Sequence, residues 1–545
     1  MTHQPRWALT GIYFIIALLV GVVLGSVVQT QFNLAALQAL GVEISPGQRI
    51  ATTLHDLTSF APLYAVLFAV GFVVSQAVAV LLSGWLGGRC LALLCTGGAA
   101  VGLWATLWLV NTLAPPPTLI AATRGVVGFV AMLATAGVAG WLFAWLRKRM
   151  ANAKRPRGFS GMAIVWGVGS LAAALGVGQQ AEAQEVEESQ AEGAYQIETL
   201  AEGLAHPWSL AFLPDGRMLV TERLGRLRLL SAEGDTLEAS LGGVPEVFAS
   251  GQAGLFDVRL SPRFEDDRQL YLSYACGNEL ANHTCLAKGT LEDNGLEDVS
   301  EIFRAQPAKQ GAAHFGGRLA WLPDGTLVLT LGDGFDYREQ AQQLESHIGS
   351  LVRLNPDGSV PDDNPFVNRD DARPAIYSYG HRNVQGLVFD ADNNRLIAHE
   401  HGPRGGDELN VIEAGANYGW PIATGGLDYT GSRVTPFEDY PGTEPPALEW
   451  TPSIAPSGMA LYSGDLFPEW QGDLLVGALV NKEVRRVRLS EDASIAEDVE
   501  GLFGELGERI RDVRQGPEGA IYLLTDSPEG RLLRVMPTHS SAISN

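Results

Sequence analysis

Two kinds of patterning divide this 545-residue chain. In its first third, apolar residues run almost without interruption: Trp7 to Val28, Pro62 to Leu82, Leu91 to Val110, Gly125 to Leu146 and Phe159 to Gly178. Each run is close to the ~20 residues a helix needs to cross a bilayer. The last run also has the build of an export signal, with a basic start, an apolar middle and small residues around Ala183. It reads either as a fifth transmembrane helix or as a segment cleaved after Ala183. Further on, short apolar stretches come in pairs, each pair split by a turn of Pro, Asp, Asn or Gly. They are "LAFLPDGRMLVTE" from Leu210, "VRLSPRFEDDRQLYLSY" from Val258, "LAWLPDGTLVLTLGD" from Leu319, "LVFDADNNRLIAHE" from Leu387, "MALYSGDLFPEWQGDLLVGA" from Met459 and "VRQGPEGAIYLLTD" from Val513. Each is a hairpin signal.

Six similar hairpins predict six small sheets of about four strands, repeated around an axis. The expected fold is an all-β six-bladed β-propeller, preceded by an α-helical transmembrane domain of four or five helices. A pair of packed sheets is the alternative, but nothing about a sandwich requires six like units. The expected domains are a membrane domain over 1–158, the fifth helix or signal-like segment over 159–183, an acidic linker over 184–195 and the propeller over 196–540.

Charge separates the same two halves. The first 180 residues carry +8, which leaves −31 for the remainder of a chain whose total is −23. An acidic second half excludes a nucleic-acid partner, which needs a basic face. The basic residues Arg6, Arg89 and the run "RKRMANAKRPRG" belong on the cytoplasmic side, and the loops Gln29 to Ala61 and Asn111 to Thr123 outside. That alternation exports the second half and gives an inner-membrane protein with a periplasmic domain. Cys276 and Cys285 then lie in an oxidising compartment and are expected to pair, whereas Cys90 and Cys95 read as inert thiols among apolar helices.

The repeats also locate the chemistry. His206, Gln252, His314, Arg382, Asn383, Arg509 and Arg511 all fall two to six residues before the start of a repeat. Equivalent positions in a rotationally repeated fold share one ring, so these side chains should gather at one end of the central channel. Several guanidinium groups facing one cavity suit an anionic ligand. The stretch "EHGPRGGDELNVIEAGANYGWP", from Glu400 to Pro421, follows the fourth repeat. It offers Gly/Pro turns with bare carbonyls, the carboxylates of Asp407, Glu408 and Glu413, and the flat surfaces of Tyr418 and Trp420. These are hard-cation ligands by type.

Taken together, "GHRNVQGLVF", "EHGPRGGDELNVIEAGANYGWP", "GQAGL", "HFGGRLAWLPDG" and "RIRDV" resemble the soluble quinoprotein aldose sugar dehydrogenases, the glucose/sorbosone dehydrogenase family, over about Ile197 to Met536. The resemblance implies a six-bladed propeller, pyrroloquinoline quinone and Ca2+ as cofactors, and oxidation of aldose sugars to lactones. It implies that His314 is the catalytic base and that Arg382 stabilises charge on the reduced quinone beside Asn383. Gln252 would lie near quinone and substrate, and Arg509 and Arg511 would hold the cofactor carboxylates. The carbonyls of Gly402 and Pro403 would bind the cofactor's calcium, with Glu408 and Tyr418 at a second, structural ion. Two positions depart from the glucose-oxidising branch. Ala313 replaces an acid before the histidine, and Val480 stands where that branch has a lysine, leaving Lys482 or Asn481 to serve. A calcium-dependent lactone hydrolase and a non-catalytic binding propeller are the rival readings. The helices read as an anchor that also brings the enzyme near a respiratory quinone or other electron acceptor.

Overall fold

The computed structural model describes residues 6–113, 118–152, 195–293 and 295–538. The fifth apolar run, the acidic linker and Ala183 lie outside the described residues. The chain forms two compact units, one helical and one of β-sheet.

The helical unit contains α1 (Arg6–Ala39), α2 (Pro46–Ser59), α3 (Ala61–Trp85), α4 (Leu91–Leu113) and α5 (Val126–Asn152). Four segments, Leu9–Ala39, Ala61–Trp85, Leu91–Leu113 and Val126–Arg149, are long and apolar enough to cross a membrane. Their outward faces are apolar as well. Val66, Val70 and Val74 on α3 and Trp104 and Trp108 on α4 are exposed, while Tyr64, Phe68 and Phe72 are buried. A helix that is apolar on every side suits a lipid surround. Helices α3 and α4 approach closely at Gly71 and Gly102, where a side chain on Gly102 would meet Ser75 Oγ at 2.9 Å.

The stretch Gln29 to Ala61, expected to be a connecting loop, is mostly helical. Helix α1 continues through "QTQFNLAALQA", which holds no Gly or Pro, and α2 follows after a short break. A capping box starts α2: Ser45 Oγ accepts from the Gln48 amide, and Gln48 Oε1 accepts from the Ser45 amide, with Pro46 in the first turn.

The second unit comprises six antiparallel sheets of four strands. The six sequence hairpins are the first two strands of the six sheets. The first strands are β2 (Pro207–Phe212), β6 (Leu255–Leu260), β10 (Gly316–Trp321), β14 (Val384–Asp390), β18 (Pro456–Leu461) and β22 (Ile510–Gln515). Their partners are β3 (Met218–Glu222), β7 (Gln269–Asn278), β11 (Leu327–Leu331), β15 (Arg395–Glu400), β19 (Leu474–Ala478) and β23 (Ile521–Thr525). The first strands touch one another in cyclic order, β2 to β6 and onward to β22, which touches β2. That closed circuit makes this a six-bladed propeller, with the first strands innermost. We number the blades one to six by these strands. The sixth is completed from the other end of the domain, because β1 (Tyr195–Leu204) pairs with β24 (Gly530–Pro537) as its outer strand.

Apolar side chains fill the spaces between blades. Leu219 and Leu229 of the first meet Val258 and Leu272 of the second, all buried. The channel itself holds charge. Arg318 Nη1 lies 3.0 Å from Asp512 Oδ1, Arg514 Nη2 lies 3.0 Å from Asp257 Oδ1, and Arg318 also covers the Trp208 ring at 4.0 Å. The same two carboxylates accept the backbone amides of Leu319 and Leu210, which ties neighbouring blades together. Burial alone would raise the Asp257 pKa, but the surrounding arginines, Arg259 foremost, bring it down to about 2. The expected Cys276–Cys285 disulfide is present and joins β7 to β8 (Ala281–Glu292) across their hairpin.

Candidate active site

In each blade, the turn that leads into the innermost strand lies at the same end of the channel. His206, His314 and Ala455 occupy equivalent places in blades one, three and five, and all are left-handed, with φ of 50°, 49° and 54°. A non-glycine residue adopts that region only where its surroundings hold it there. An acid at or just past the end of a second strand, of the same or the preceding blade, binds beside most of these turns. Asp526 binds His206, Asp333 binds His314, and Glu400 accepts from the Arg382 amide. Glu222 accepts from the Ala205 amide in the first blade. Blade five has no acid at the end of its second strand, and Asp407 of the neighbouring blade accepts from the Ala455 amide instead.

His314 is the best-organised of these residues. Its side chain is 5% exposed. Its Nδ1 lies 2.6 Å from Asp333 Oδ1, and its amide donates to Gln252 Oε1 at 2.8 Å. Asp333 is fixed in turn by Trp420, whose Nε1 donates to Oδ2 at 2.8 Å. Among the described residues nothing hydrogen-bonds His314 Nε2. Burial first, and the Arg382 guanidinium second, hold the imidazole pKa below its ordinary value against the pull of Asp333. The ring is therefore a neutral acceptor at Nε2, with its tautomer set by the carboxylate.

Arg382 enters from the next blade. Its guanidinium carbon sits 5.7 Å from the Phe335 ring and 5.2 Å from the Trp420 ring, and Nη1 donates to the carbonyls of His401 at 3.0 Å and Gly402 at 2.6 Å. Asn383 Oδ1 accepts from the Gly316 amide, two residues beyond His314. Opposite, Arg509 and Arg511 converge on Asp526 Oδ2 at 3.2 and 2.9 Å. His401 connects the two groups: its pKa is lowered to about 3, by burial first and then by charges that include Arg382, His314 and Arg511.

The metal candidates fall into two places. Gly402 and Pro403 lie in the turn after β15, beside Arg382. The Gly402 amide donates to Asp407 Oδ1, and its carbonyl keeps a second lone pair beyond the one Arg382 uses. Glu408, on β16 (Asp407–Ile412), pairs in register with Glu400, and its carboxyl is pushed well up by burial and by Glu400. Asn410 is buried beside both, and its Oδ1 has no partner among the described residues. That is an acidic, oxygen-rich setting whose chemistry suits a divalent cation. Tyr418 stacks on His381 with ring centroids 4.7 Å apart, and His381 binds Glu400.

Lys482 follows the second strand of the fifth blade, in the turn whose Leu479 carbonyl accepts from Arg509. It is exposed in the turn between β19 and β20 (Glu483–Leu489), with φ of 60° and no hydrogen bond or ion pair among the described residues. Asp333, Asp526, His401 and Lys309 are the site residues that sequence reading missed. The first two had a visible signal, since "VTE", "LGD", "AHE" and "LTD" close four of the six hairpins with an acid. Lys309 had none, because it lies in a loop between repeats.

The family model described as Glucose / Sorbosone dehydrogenase matches residues 204–534. Aldose sugar dehydrogenase YliI of Escherichia coli (strain K12) is 45% identical over 347 residues, which is 63% of this chain and 92% of that protein. The crystal structure of the soluble aldose sugar dehydrogenase from Escherichia coli, in the apo-form, covers 63% of this chain and 99% of its own at 44% identity, with a TM-score of 0.61. The PQQ-bound form of the Streptomyces coelicolor aldose sugar dehydrogenase covers 63% and 98% at 29% identity, with a TM-score of 0.51.

Proposed function

This chain belongs to the Glucose / Sorbosone dehydrogenase family, and from that premise we propose that it is a membrane-tethered, pyrroloquinoline-quinone- and calcium-dependent aldose sugar dehydrogenase that oxidises the anomeric carbon to a lactone. The observation that carries this reading is the His314–Asp333 couple facing Arg382 at the channel mouth. His314 Nε2 takes the proton of the anomeric hydroxyl, and Asp333 stabilises the imidazolium that results. Gln252 braces the turn that aims the ring.

The side chains present suit the cofactor. Arg509 and Arg511 offer guanidinium groups to carboxylates, and Phe335 and Trp420 flank Arg382 with flat surfaces. Asn383 lies next to Arg382 at the same edge. The carbonyls of Gly402 and Pro403 would hold the calcium ion next to the quinone, and Glu408 with Tyr418 a second, structural one. When bound, the quinone would supply the acceptor for the hydride and the calcium ion would polarise it. Arg382, held by the His401 and Gly402 carbonyls, would stabilise negative charge there from a fixed position. Lys482 would offer its ammonium to the cofactor from the turn after β19. The helices anchor the propeller on the periplasmic face of the inner membrane, near a respiratory quinone or other electron acceptor.

The test uses the full chain in detergent with calcium and pyrroloquinoline quinone added. A panel of aldoses is offered, and reduction of an artificial electron acceptor is followed. Sugar-dependent reduction that His314→Ala abolishes supports the proposal. Lactone hydrolysis without quinone, or no turnover with any aldose, overturns it.

A further inference from the structure

Five residues before His314, Lys309 is buried in the wall of the site. The residue is 4% exposed. Nζ donates to the Ala313 carbonyl at 3.0 Å and lies 3.4 Å from the centroid of the Phe315 ring. Those two contacts bracket His314 in the chain. The lysine backbone is locked as well, since its N–H and C=O both pair with Asn282 of β8. Its aliphatic stem runs under Gly334, where even a Cβ would come within 2.7 Å of Lys309 Cδ. Among the described residues, no carboxylate lies within ion-pair distance of the ammonium. A buried cation with one carbonyl and one aromatic face is costly to keep.

We propose that Lys309 is a positioning residue for His314: its ammonium clamps the left-handed turn from both sides, and its positive charge adds to that of Arg382 in keeping the imidazole in the unprotonated, base-competent form. The role rests on the reading of His314 as the base. The groups that face this pair are Asp333 after β11, Arg382 before β14, His401 after β15 and Tyr337 beyond Gly334. Asp333 pulls His314 toward protonation; Arg382 and Lys309 oppose it. Burial lowers the Lys309 pKa to about 7, so the charge is present throughout the range below neutrality in which His314 titrates.

The experiment follows the histidine resonances of the full-length, cofactor-free protein in detergent, labelled at histidine Cε1, with His314→Gln used to assign the His314 signal. In Lys309→Met the midpoint of His314 rises by about half to one pH unit. The acid limb of kcat/KM in the reconstituted enzyme moves up with it. Lys309→Gln keeps a donor for the Ala313 carbonyl without the charge, and gives the same rise. An unmoved midpoint in both folded variants overturns the inference. Should His314→Gln retain sugar oxidation, the function reading fails while the measured coupling stands on its own.

Discussion

Replacing His314 by Ala removes the imidazole but can leave the left-handed turn in place, because Ala455 already adopts that turn in the fifth blade. Under the proposed reaction, His314→Ala lowers kcat by about 10²–10⁴-fold with an unchanged circular dichroism spectrum. Asp333→Asn loses activity by the same route, since the wrong tautomer is then favoured at Nδ1. The pH profile follows from the sign of the shift. The His314 pKa lies below the ordinary 6.5, so the acid limb of kcat/KM is centred below 6.5; a limb centred above 6.5 contradicts this. At this scale the sequence was legible wherever a residue sat at a fixed offset from a repeat, as Gln252, His314 and Arg382 do. Lys309 and His401 were silent, because burial and a charged neighbourhood give them their character and neither is written in local spacing.

The blades were legible as hairpins because their inner two strands are short, apolar and joined by tight turns. The outer strands were not, since they vary from the three residues of Thr236–Glu238 to the twelve of β8. Helix α2 was missed for another reason: its apolar content is low, and only the Ser45-Pro46-Gly47-Gln48 cap announced it. Two changes test how the elements are held. Arg318→Met strips a cation from between Asp257 and Asp512 and costs about 3–5 kcal/mol, read from urea unfolding of the propeller signal. The depressed Asp257 pKa adds stability that is fully present above the ordinary carboxylate value of 3.8 and is lost as pH falls toward about 2. Cys276→Ser opens the β7–β8 staple. With the partners nine positions apart in the chain, the loss is about 2–3 kcal/mol, and in the wild type it appears only when a reductant is added.

For the molecule as a whole, the abrupt change from continuous apolar runs to paired strands already divides the chain into the helical unit and the ring of sheets. The four long apolar helices predict that the chain stays in the membrane fraction through alkaline carbonate extraction; release into the supernatant contradicts a spanning anchor. The pairing of β1 with β24 carries its own consequence for how the protein is made. The first strand of the ring leaves the ribosome more than 300 residues before its partner, and until then it presents a row of unsatisfied amides and carbonyls to whatever strand comes by. Synthesis therefore has a vulnerable interval that ends only when Gly530–Pro537 arrives, and premature termination anywhere upstream yields an open, adhesive arc in place of a closed ring.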